Sequence, residues 1–127
     1  MVNRLLQPQE IEVFYVLPAV RKEIAVCMKA EGKSQKDIAK LLGVTPPAIS
    51  QYMSSKRAST LKFSDKIKFA ISDSSKRINS DLSLMREVQR LLQLIRNERV
   101  VCQIHEAMGS GLKNCNVCFE EPLIQIR

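Results

Sequence analysis

The stretch Ser34–Arg57, SQKDIAKLLGVTPPAISQYMSSKR, decides the reading of this 127-residue chain. Ala39 is a small residue midway along a first amphipathic segment, where two helices must approach closely. Gly43 follows four residues later, where a turn needs a residue free to take positive φ. Ile49 comes six residues after it, as an apolar anchor seating a second helix on the first. Between them Thr45 is placed to cap that second helix, and Pro46 suits its first position, where a missing N–H costs nothing. Five features agree within one window, and the geometry they predict is a helix-turn-helix. In that arrangement a bracing helix presents the leading end of its neighbour to the major groove of duplex DNA.

The spacing predicts a reading helix over about Pro46 to Ser54. Thr45, Pro47, Ala48, Ser50 and Gln51 then lie at or near its leading end. The Gln51 amide both donates and accepts, which suits an adenine edge, and Ala48 suits a thymine methyl. Ser34 and Gln35 open the bracing helix, where side chains and free N–H groups can hold a phosphate. Lys56 and Arg57, just beyond the reading helix, are expected to clamp the DNA backbone. A plain helical hairpin would leave the same groups in solvent; the combined cap, glycine and flanking basic residues favour the DNA reader.

Working outward, the composition fits such a reader. A hydrophobic fraction of 45% is ordinary for a globular chain. Aromatics at 5%, with no Trp, argue against a protein that stacks single-stranded bases. A net charge of +7 and pI near 9.5 suit a polyanionic partner, here double-stranded DNA. Residues 1–60 and 61–100 each carry +4, whereas 101–127 carry −1, so the tail is expected to do something other than hold phosphates. No apolar run approaches the roughly 20 residues that span a bilayer, so no membrane partner is expected. The start, MVNRLLQPQEIEVF, lacks the apolar core of a secretion signal. A cytoplasmic location is expected, where four cysteines are better read as thiols or metal ligands than as disulfides.

The expected fold is all-α: a helix-turn-helix bundle with a C-terminal helix and a small Cys/His metal-binding tail. Residues 1–17 read as an N-terminal arm whose IEVFYVL is the most strand-like piece. Residues 18–80 read as the DNA-binding domain, with Pro18 starting a helix that runs to about Ala30 and places Cys27 on its apolar face. Phe63 to Ile78 is a further amphipathic helix, and Asn79-Ser80-Asp81 is a break with capping potential. Residues 81–127 hold a helix over about Leu82 to Asn97 and the tail. The helix stripe Leu84, Met85, Val88, Leu91, Leu92, Ile95 suits either the chain's own core or pairing with a second copy. The arm is an alternative source of the dimer contact.

Cys102-x-x-His105 and Cys115-x-x-Cys118 form a second constellation. Ligands spaced this way can grip one ion from two sides of a turn, and Cys102 and His105 share a face if their segment is helical. A Cys3His set completes a tetrahedral Zn2+ site. Three thiolates suit an iron–sulfur cluster equally, and thiolate softness permits both. A thiol switch without metal is the remaining alternative.

Residues 34–57 resemble the Cro/repressor, xenobiotic-response-element-like, type of helix-turn-helix. The longer stretch YVLPAVRKEIA…GKSQKDIAKLLGVTPPAISQYMSSKR is similar to a group of archaeal transcriptional regulators that carry a cysteine-containing C-terminal segment. The resemblance implies an all-α bundle and dimeric binding to an operator. The additional C-x-x-C common in that group is absent here, where the corresponding helix reads REVQRLLQL. The expected function is therefore a homodimeric DNA-binding regulator whose tail holds an iron–sulfur cluster or Zn2+, structural or sensory. The alternative is a protein-interaction or antitoxin-like module with an architectural helix-turn-helix and a structural zinc. With His105 the only histidine and no nucleophile, phosphate loop or carboxylate pair in place, an enzyme is not expected.

Overall fold

The computed structural model describes residues 5–54, 61–108 and 114–120. Their regular elements are all helical: α1 (Pro8–Ile11), a π-helical turn (Glu12–Val16), α2 (Leu17–Ala30), α3 (Gln35–Leu42), α4 (Pro46–Ser54), α5 (Asp65–Ser75), α6 (Asp81–Asn97), α7 (Val100–Ala107) and a 3-10 turn (Val117–Phe119). The all-α expectation holds across them.

The first three elements run without a break as one rod, which corrects the strand-like reading of IEVFYVL. A strand alternates faces, whereas this segment buries Ile11, Glu12 and Val16 and turns Val13, Phe14 and Tyr15 outward together. Pro18 stands at the second position of α2, close to the expected helix start, but the π-helical turn runs directly into that helix. Pro18 therefore sits inside the rod, where its ring would crowd the carbonyl of Phe14 in regular α geometry. The wider turn just before it relieves that clash, and the Leu17 N–H reaches back five residues to the Glu12 carbonyl. Gln7 caps the rod, its N–H donating to Glu10 Oε1 at 2.9 Å.

Helix α2 lies at the centre and packs on α3, α4 and α5. Its Val20, Ile24, Ala25 and Met28 join Ile38, Ala39 and Leu42 of α3, Ile49 of α4, Ile67 and Ile71 of α5 and Leu91, Leu92 and Ile95 of α6 in one continuous core. Cys27, expected on the apolar face, is only half-buried beside that core. The stripe on α6 is thus largely spent within the chain. Leu84 and Val88 are half-buried, and Met85 faces outward near Leu82.

Serine caps define the starts of three helices. Ser34, Ser64 and Ser80 each accept the N–H of the third residue of their helix, Asp37, Ile67 and Ser83. Gly43 ends α3 at φ 67°, and the Val44 N–H closes the turn on the Ala39 carbonyl at 3.0 Å. Between α6 and α7 that role falls on Arg99 at φ 61°, a non-glycine residue in the left-handed region.

Charged contacts fix the angles between layers. Glu87 on α6 is 1% exposed and receives Arg77 at 3.0 Å and Arg90 at 3.4 Å. Burial pushes its carboxyl up, but hydrogen bonds from Arg77 and Ser74 and the charges of Arg77 and Arg90 outweigh it, holding the group below its ordinary 4.5. Glu12, inside the π-helical turn, receives Arg96 of α6 at 2.8 Å. The N-terminal rod is thereby tied to the C-terminal helices.

Two stability outcomes follow. Gly43→Ala meets no atom within 4 Å, so it should lose only the backbone strain of positive φ, about 1–2 kcal/mol by urea denaturation, with Gly43→Asn losing less. Arg77→Met removes the nearer guanidinium from the Glu87 carboxylate, leaving it Arg90 and Ser74, and should cost about 1–3 kcal/mol near neutral pH. Because the folded Glu87 titrates below its unfolded value, its contribution is present above that value and is lost as pH falls through the folded one. The gap between wild type and Arg77→Met should therefore close in acid, which unfolding curves across that range will read.

Candidate nucleic-acid interface

Helices α3 and α4 meet across the Gly43 turn with their buried sides facing the core. Ala39 is 2% exposed and Ile49 wholly buried, so the close approach and the anchor stand where their spacing puts them. Pro46 opens α4, and the Thr45 side chain accepts the Ala48 N–H at 3.3 Å. With Ile49 turned inward, the helical period carries Ser50 and Gln51 outward on the next positions. Pro47 and Thr45 are exposed and Ala48 is half-buried.

The start of α3 shares this surface. Ser34 is exposed, Gln35 half-buried, and Ser50 donates from its hydroxyl to Gln35 Oε1 at 3.1 Å. No sequence motif signals that bond between α4 and the first residue of α3. Fifteen residues separate its partners, and only the folded hairpin brings them together. It sets Gln35 beside α4, next to the Ser34-capped start of α3. Lys56 and Arg57, the expected backbone clamps, lie outside the described residues.

A bracing helix, a left-handed glycine corner and an exposed helix start propped by one buried isoleucine form a helix-turn-helix. Residues 24–67 match the helix-turn-helix family. The matched span takes in the end of α2, both helices of the hairpin and the start of α5. The chain thus carries a DNA-binding helix-turn-helix of the Cro/repressor type, the kind found in transcription regulators. No curated protein and no solved structure matches the chain. No described helix is long and apolar enough to cross a membrane.

The Cys/His constellation lies away from this hairpin, on α7 and the segment 114–120. Helix α7 carries Cys102, half-buried, and His105, buried, one turn apart. Its separation from α6 is hard to see in the sequence, because Arg99 rather than a glycine marks the break. The Arg99 guanidinium donates to the Cys115 carbonyl at 3.2 Å and lies 4.2 Å from the centre of the Phe119 ring. That clamp folds the tail onto α7. Cys102, His105, Cys115 and Cys118 consequently line one cavity of about 260 Å³, walled by Leu5, Leu6, Pro8 and Val117.

His105 Nε2 stands 2.7 Å from the Leu6 carbonyl, which can only accept, so this nitrogen carries the proton. Burial pushes the Cys118 thiol above its ordinary 9.0, and negative charge on Cys102 and Cys115 pushes it the same way. Both effects favour the neutral thiol at Cys118. The donors are soft and share a cavity, which suits a thiophilic ion. As they stand, no three His, Cys, Asp or Glu side chains among the described residues form a group that would hold one. Cys27 is separate: burial raises its thiol first, with Glu23 adding to the effect, as for a packing residue.

Proposed function

We propose that this protein is a sequence-specific transcriptional regulator that binds duplex DNA through the leading end of α4. The observation that carries the reading is the outward pair Ser50 and Gln51 beside Gln35, set on the buried Ile49 within a matched helix-turn-helix. Gln51 reads a base edge, Ala48 and Pro47 contact the groove wall, and Ser34, Gln35 and Thr45 hold phosphates, with Lys56 and Arg57 clamping the backbone. Supporting this is the uneven charge, with +4 on each of residues 1–60 and 61–100.

The protein acts as a homodimer on a pseudo-palindromic operator, since one short reading helix contacts too few bases to specify a site alone. Outward-facing Val13 and Phe14 on the rod, and Leu82 and Met85 on α6, offer apolar surface for the contact. The cysteine-lined cavity holds a metal centre, Zn2+ or an iron–sulfur cluster, that reports metal or redox status. That Cys102, His105, Cys115 and Cys118 line one cavity, with the softness of thiol donors, supports that assignment.

Duplexes selected from a random pool test the regulator reading. Gln51→Ala should lose about 1–3 kcal/mol of discrimination at one base position while the fold stays intact by circular dichroism. An unchanged preference would remove Gln51 as a reader. Lys56→Ala or Arg57→Ala should weaken every duplex alike and reduce the salt slope by about 1 for each charge removed. An effect confined to one sequence would contradict the clamp.

A further inference from the structure

Two cavities flank the segment 114–120 where it folds back on α7. One is the cysteine-lined cavity of about 260 Å³, and the other, of about 390 Å³, lies beside Arg99 and Asn114. Cys102, Glu106 and Cys115 border both, whereas Cys118 borders the smaller. Cys102 and Cys115 thus stand together in the seam between α7 and the tail segment. We infer that this thiol pair is an oxidation site, closing a Cys102–Cys115 disulfide in the metal-free chain and stapling the tail segment to α7. The inference goes beyond DNA binding and does not depend on it.

The juxtaposition comes from Arg99, which stands immediately before α7, three residues ahead of Cys102. Its guanidinium donates to the Cys115 carbonyl at 3.2 Å and lies 4.2 Å from the centre of the Phe119 ring. Cys102 and Glu106, four residues apart, share one face of α7. The clamp acts on the main chain of Cys115 itself, and so holds that residue over this face. A disulfide forms only where two Cα atoms come within about 7 Å, and a tether one turn from Cys102 keeps Cys115 in that neighbourhood. Both residues are half-buried free thiols. Cys118 is exposed and offers the competing pairing: Cys115 and Cys118 lie two residues apart across the start of the 3-10 turn. That pairing would close within the tail and leave α7 unlinked.

The oxidant is a small-molecule disulfide of the glutathione class. One cysteine thiolate attacks a sulfur of that disulfide, whose S–S bond breaks and releases one small thiolate. The second cysteine thiolate then attacks the protein sulfur of the mixed disulfide, forming the Sγ–Sγ bond and expelling the second small thiolate. Two protein thiols are oxidised, one small disulfide is reduced to two thiols, and the two cysteine protons pass to the two leaving thiolates. The new bond makes permanent the contact that Arg99 holds. Because α7 also meets the Leu6 carbonyl through His105 at 2.7 Å, the staple joins the tail to the start of the rod.

The test equilibrates the chelator-treated, full-length protein with graded ratios of reduced to oxidised glutathione, quenches by alkylation and maps linkages by mass after trypsin. Cleavage after Arg99 and Lys113 means that the expected bond joins residues 100–113 to 114–127, and wild type alone can show it. Cys118→Ser, at an exposed position, should leave the linked fraction within about 3-fold, whereas Cys115→Ser should lower it at least about 10-fold. Arg99→Gly suits the left-handed backbone at φ 61° but removes the clamp, and should lower the linked fraction at least about 10-fold. Amide exchange of residues 114–120 should slow at least about 10-fold on oxidation.

A bond confined to residues 114–127, a linkage that survives Cys115→Ser undiminished, or no linkage within one chain at any ratio would overturn the inference. So would a linked fraction indifferent to Arg99→Gly, or exchange over 114–120 unchanged by oxidation. Duplex binding is measured apart, on the reduced protein. Its absence at low salt beside an intact Cys102–Cys115 linkage would defeat the regulator reading alone.

Discussion

Burial of α2 against three neighbours is the constraint on which the remaining structure depends. Val20, Ile24, Ala25 and Met28 are all wholly buried, and both helices of the hairpin pack on this one element. Fully burying one such side chain contributes about 1.5–3 kcal/mol, and truncating one in a core costs about 2–5. Against a total stability of about 5–15 kcal/mol for a domain of this kind, losing a single contact on α2 is a large fraction. The hairpin helices α3 and α4 span 8 and 9 residues, too short to persist alone in water. Their exposed, function-bearing faces exist because their opposite faces are held on α2.

The same helix explains how two chemically unlike regions share one small chain. It packs on both helices of the hairpin, and its N-terminal extension reaches a cavity lined by cysteines. Polar ties at the corners keep the two ends in register. Glu12 meets Arg96 across the rod and α6, Glu87 gathers Arg77 and Arg90 at the α5–α6 corner, and Ser75 donates to Glu31 at the end of α2. The buried carboxylate of Glu87 gains little net stability as a pair, but leaving it unpaired would be costly. Its contribution is to one particular angle between helices. The π-helical turn has a similar character: it accommodates Pro18 without ending the rod, at the point where Glu12 reaches α6.

Local chemistry makes the hairpin legible in the amino-acid order. Ser34, Gly43, Thr45 and Pro46 act within four residues of themselves, through caps and a positive φ, so their types and spacing carry the geometry directly. Ser64 and Ser80 mark the starts of α5 and α6 for the same reason. Elsewhere the local signal misleads. IEVFYVL has strand-like composition, yet its burial follows a helical face, because packing against the core overrides a modest β preference. Pro18 ordinarily opens a helix, and only the widened turn before it allows the helix to continue through. Helix α7 has no glycine to announce it, because Arg99 takes the left-handed position, with its guanidinium held by the Cys115 carbonyl and the Phe119 ring.

By itself, then, the amino-acid order determined the all-helical class, the hairpin with its outward Gln51, and the cysteine spacing, each written in interactions between near neighbours in sequence. Tertiary structure alone decided what those pieces face. It placed Ser50 against Gln35, consumed Leu91, Leu92 and Ile95 in the chain's own core, and set His105 on the Leu6 carbonyl 99 residues away. Such pairings depend on the packing of several helices at once. No local periodicity encodes them, because each partner's position is set by the whole core rather than by its own segment.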